Sequence, residues 1–146
     1  RGETVAIIGE NEPQHYWAEY AAQAVGCKVI SLYPDLTADE VQYLLDDSEA
    51  VCLFAQDQEQ VDKGLAVKTA TPNLRHIVYW DDTGMWSYRD PILRKFHQLQ
   101  SEGRSLGEKD GLMYDRLVDQ GRPDDIAVLS YTSGTTGKPG QRRYQD

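Results

Sequence analysis

No apolar run in this chain approaches the ~18 to 20 residues of a membrane-spanning helix, so a helical span is not expected. Arg1-Gly2-Glu3 leads straight into a strand-like run, and no signal peptide is read there. Cysteine is scarce. Cys27 and Cys52 form neither a CxxC pair nor part of a ligand cluster, which argues against zinc and redox chemistry. They read as reduced, buried thiols of a cytoplasmic protein. Basic charge is also short: 15 Lys and Arg against 24 Asp and Glu leave a net −9 and disfavour nucleic acid as a partner. Lys138, Arg142 and Arg143 form the one basic stretch that could meet a phosphate. The histidines His15, His76 and His97 are scattered, with no acid or cysteine at ligand spacing, and suit surface or helix-face roles. There is no GxGxxG, no internal repeat and no low-complexity tract.

What is present reads as one domain. Its 146 residues, 40% of them apolar, can bury a core. Thr4–Ile8, Lys28–Leu32, Ala50–Phe54, His76–Trp80 and Ile126–Ser130 are short, continuous apolar runs of the kind that form buried strands. Between the first four lie amphipathic stretches. Asn11 is placed to cap the first helix, with Pro13 in its first turn and Gly26 at its end. Tyr16, Trp17, Tyr20, Ala21 and Ala24 share one helical face, and the aromatics are expected in the core. Thr37-Ala38-Asp39-Glu40 is a capping box, and residues 57–68 make a third helix. The β-α-β-α-β-α-β order implies a three-layer α/β fold, a mostly parallel sheet with helices on both faces. Residues 81–125 read as a partly helical excursion, with helices expected over Pro91–Glu102 and Glu108–Gln120.

The most informative stretch is Tyr131-Thr132-Ser133-Gly134-Thr135-Thr136-Gly137-Lys138-Pro139-Gly140. Four hydroxyls supply donors, the glycines let backbone N–H groups approach an anion, and Lys138 adds a point charge. A loop of this kind after a parallel strand is placed to hold a polyphosphate. It is not a Walker A loop, because Thr132 stands where the first glycine belongs and Pro139 where the hydroxyl belongs.

The string Tyr131 to Pro139 resembles the signature loop of the adenylate-forming (AMP-binding) superfamily, which includes acyl-CoA synthetases, luciferases and peptide-synthetase adenylation domains. Further matches are Val5 to Pro13, Ala21 to Gly26, Ser31-Leu32-Tyr33-Pro34, Pro72 to Val78 and Asp124 to Ala127. Together they look like the N-terminal piece of a bacterial long-chain fatty acyl-CoA synthetase, ending just after its phosphate loop.

The resemblance implies that such an enzyme joins a fatty acid to AMP, releases pyrophosphate, and passes the acyl group to coenzyme A. Thr132, Ser133, Gly134, Thr135, Thr136, Gly137 and Lys138 would bind ATP, with Mg²⁺ on the same phosphates. The family's later glutamate, aspartate and C-terminal lysine are outside these 146 residues, so no catalytic residue is assigned and the chain alone is expected to be catalytically incompetent. Two departures stand out. The family's lysine after Pro139 is missing, and residues 141–146 replace an apolar helix. Fatty acid, ATP and coenzyme A are the expected partners, with a peripheral membrane contact in the parent such as some relatives make. Two rival readings remain: a freestanding nucleotide- or phosphate-binding module, and an inert α/β domain that dimerises through surface a missing half would cover.

Overall fold

The computed structural model describes residues 1–132 and 140–145. A seven-stranded sheet runs in the order β5-β4-β3-β1-β2-β6-β7. Its strands are β1 (Thr4–Ile8), β2 (Lys28–Leu32), β3 (Ala50–Ala55), β4 (His76–Tyr79), β5 (Leu93–Lys95), β6 (Ile126–Thr132) and β7 (Gly140–Gln145). The first six are mutually parallel, and β7 returns antiparallel beside β6. The helices are α1 (Pro13–Ala24), α2 (Ala38–Asp47), α3 (Gln58–Val67), α4 (Phe96–Lys109) and α5 (Met113–Val118).

Strand β1 shows why the expected three-layer arrangement forms. All five of its residues are buried, because successive side chains point to opposite faces and both faces are covered. Ala6 and Ile8 join Val41, Leu44, Leu45 and Val61 in the core under α2 and α3. Val5 and Ile7 join Ala18, Ala22 and Phe96 under α1 and α4.

The local signals are built as read at two helix ends. Thr37 Oγ1 accepts from the Glu40 amide at 3.3 Å, while the Glu40 carboxylate accepts from the Thr37 amide at 2.8 Å. Gly26, at φ +77, ends α1: its amide donates to Gln23 O and the Cys27 amide to Ala22 O. That paired arrangement needs a left-handed residue, which glycine supplies without strain.

The structure differs from, or adds to, what the sequence predicts at four places. Helix α1 takes Glu12, not Asn11, as its N-cap, and no side chain caps it. The Glu12 carboxylate is engaged elsewhere, accepting from Trp80 Nε1 at 2.8 Å and Gln56 Nε2 at 3.3 Å.

The aromatic face of α1 points outward, with Tyr16, Trp17 and Tyr20 at 41%, 54% and 65% exposure. The buried face is His15, Ala18 and Ala22, because small residues let the helix lie close on the sheet. His15 is therefore a buried residue, whereas His76 and His97 are exposed.

In the excursion, Leu93–Lys95 is strand, paired with Ile77–Tyr79. A three-residue edge strand carries too little periodicity to be seen in advance. Finally, residues 140–145 are strand paired to β6.

Candidate functional site

The carboxyl ends of the parallel strands define the edge where open α/β sheets take ligands. Two neighbouring strands there send their connections to opposite faces. Strand β1 leads into α1 on one side, and β3 leads into α3 on the other. The crevice between them, the usual binding position in such sheets, is filled. Gln56 Oε1 accepts from the Glu10 amide at 2.7 Å, and Glu12 holds Gln56 and Trp80 as above. Gly9, at φ +154, lies so close that an added Cβ would stand 2.7 Å from Gln56 Cβ and 3.0 Å from the Trp80 ring. The β1–β3–β4 end of the edge is thereby closed.

The other end of the edge lies at β2 and β6. Val29 of β2 pairs with Val128 of β6, so β6 enters beside the strand that α1 partly covers. Leu129 is buried in the core under α2 and α3. Tyr131 leans against the same core and donates its hydroxyl to Asp47 Oδ2 at 2.7 Å. Thr132, the first of the expected phosphate-holding residues, is the last residue of β6 and pairs with Gly140 at the start of β7. Ser133, Gly134, Thr135, Thr136, Gly137 and Lys138 lie outside the described residues.

Beside β6, Ser31 breaks the apolar run of β2 and is exposed, while Ile30 and Leu32 are buried. His15 Nε2 stands 3.3 Å from Ser31 Oγ. His15 is 5% exposed and its Nδ1 has no hydrogen-bond partner. The sequence places His15 on a surface or helix face and Ser31 within a strand, and it does not show that the two meet. A lone serine in an otherwise continuous apolar strand was the signal that could have found them.

Among the described residues no group of three or more His, Cys, Asp or Glu is placed to hold a metal ion. A shallow cavity of about 240 Å³ lined by Glu3, Thr4, Lys28 and Asn73 lies at the opposite, amino edge of the sheet, away from the loop.

The fold agrees with that of known proteins the chain resembles. Residues 1–140 match the model of the family described as AMP-binding enzyme. The chain belongs to that family. Among curated relatives, long-chain-fatty-acid–CoA ligase ACSBG1 of Rattus norvegicus is 28% identical over 145 residues, covering 95% of this chain and 19% of the relative. Long-chain-fatty-acid–CoA ligase 1 of Cavia porcellus is 32% identical over 139 residues, with 92% and 19% coverage. The chain thus spans about a fifth of the length of these relatives. In fold it is similar to the anthranilate CoA ligase AuaEII, solved with anthranoyl-AMP, at a TM-score of 0.72 and 20% identity. That likeness covers 99% of this chain and 25% of the other.

Proposed function

We propose that this chain is the phosphate-holding part of an ATP-dependent long-chain fatty acyl-CoA synthetase. The observation that carries the reading is the string Thr132 to Lys138 following the carboxyl end of a parallel strand in a member of the AMP-binding family. The charge pattern supports it. From Ile126 to Gln145 there is no acid, while Lys138, Arg142 and Arg143 are cationic, in a chain whose net charge is −9. A donor-rich, acid-free stretch suits the charge of a triphosphate.

In the reaction, a fatty-acid carboxylate oxygen attacks the α-phosphorus of ATP. The bond to the pyrophosphate oxygen breaks, leaving acyl-AMP. The thiol sulfur of coenzyme A then attacks the acyl carbon, loses its proton, and AMP leaves. Ser133, Thr135, Thr136 and Lys138 hold the β- and γ-phosphates together with the Gly134 and Gly137 amides, which is positioning and charge stabilisation. Mg²⁺ arrives on those phosphates, and the described residues offer it no carboxylate cluster. The chain by itself binds and does not turn over. Its free thiols suit the reducing cytoplasm.

Calorimetric titration of the 146-residue chain with Mg·ATP tests the reading. Binding in the millimolar range that is lost in Lys138→Ala is the expected result. No heat at millimolar ATP, or equal heat from Lys138→Ala, removes the phosphate role. A chimera carrying this chain in place of the matched segment of the Cavia porcellus ligase should show fatty-acid-dependent ATP–pyrophosphate exchange.

A further inference from the structure

We infer that Ser31 is an additional anion-binding residue at the β2–β6 end of this edge, held in its donating orientation by His15 as a positioning residue. The inference rests on the phosphate reading of the loop after β6. The pairing of Val29 with Val128 carries two residues on to bring Ser31 beside Ser130. Since Leu129 faces the core under α2 and α3, Ser130 and Ser31 lie on the α1 side. Thr132 is two residues further along β6, roughly 6–7 Å on, and adjacent strands stand about 4.8 Å apart. Ser31 is therefore within reach of a polyphosphate held where β6 ends.

The hydrogen-bond inventory of His15 sets the direction of the Ser31 hydroxyl. A proton on Nδ1 would be a buried N–H without an acceptor, the rarer and costlier kind of orphan. Placed on Nε2, the proton is donated to Ser31 Oγ, at 3.3 Å. Ser31 then accepts from beneath, and its own O–H is left to donate outward. A serine that is exposed, anchored from below and free to donate suits an oxyanion. Its neighbours Ile30 and Leu32 supply the core contacts of this strand under α2 and α3.

The test uses the 146-residue chain and sodium triphosphate, followed by calorimetry and by ¹⁵N NMR of the imidazole. Ser31→Ala should weaken triphosphate binding by about ten-fold, the effect of one hydrogen bond to a charged group, and Ser31→Thr should restore it. His15→Ala should weaken binding similarly. His15→Gln, which keeps a side-chain N–H, should recover most of the loss. The free protein should show the Nε2–H tautomer, and its Nε2 signal should shift on adding triphosphate. Equal affinities for wild type and Ser31→Ala, or an Nδ1–H tautomer, would overturn the inference. Lys138→Ala separates it from the loop reading. Binding lost there but kept in Ser31→Ala removes only Ser31. Binding kept there but lost in Ser31→Ala removes only the loop. Absence of triphosphate binding by the wild-type chain removes both.

Discussion

At the scale of single residues, environment decides chemistry. Cys52 lies within β3 beneath α1 and α4, packed against Val5, Phe54 and their neighbours. Burial in that apolar layer pushes its thiol up to about 12, with nearby Cys27 adding to the effect. Cys27 is raised as well, again chiefly by burial. The thiolate is the nucleophile, so Cys52 should resist iodoacetamide at pH 8 while the chain is folded and react once it is denatured. Mass spectrometry of the labelled peptides reads this directly, and rapid labelling of Cys52 in the native protein would contradict it. His15 makes the same point from the other side. Three scattered histidines look alike in sequence, yet one is packed under β2 and two face solvent.

At the scale of elements, short-range chemistry and long-range packing divide the work. The Thr37–Glu40 box is local, and its four residues announce it. Both of its hydrogen bonds are made, and the backbone and side-chain donors of Thr37 hold the Glu40 carboxyl below its usual range. Thr37→Ala should therefore cost about 1 kcal/mol in denaturant unfolding, with the m-value unchanged. A cost near zero would mean that the α2–α3 contact alone sets this helix. The start of α1 is the contrary case. Asn11 has the right chemistry and neighbourhood for a cap, but Glu12 takes the position because Trp80 and Gln56, some 68 and 44 residues away, fix its carboxylate. No window of ten residues contains that information. The same holds for the outward turn of Tyr16, Trp17 and Tyr20, which follows from how closely Ala18 and Ala22 approach the sheet.

At the scale of the whole molecule, charge sets the response to acid. Glu40, Asp81, Asp90 and Asp110 are all held below the ordinary carboxylate range. Hydrogen bonds from Thr37, Thr83, Lys68 and Arg116, respectively, are the leading causes. Each group ionises more readily folded than unfolded, so its stabilisation is complete above about pH 4 to 4.5 and fades as pH falls through the lowered folded values. The net −9 works in the opposite sense between neutrality and the pI near 4.7, because protonation there relieves self-repulsion. The urea midpoint should accordingly hold or rise from pH 7 towards 4.7 and drop below about 4. Asp90→Asn should shallow that drop, and a midpoint unaffected by acid would refute the assignment.

The sequence by itself determined the parallel α/β sheet, because continuous apolar strands alternating with amphipathic helices have one economical packing. It also determined the capping box, the glycine end of α1 and the family, since these are written in contiguous residues. Tertiary structure alone decided that the β1–β3 crevice is closed by Glu12, Gln56 and Trp80, and that Ser31 and His15 stand beside the strand carrying the loop. It decided too that Leu93–Lys95 joins the sheet edge. Each of these depends on contacts between distant segments, and such contacts are set by how the layers meet, which no local pattern encodes.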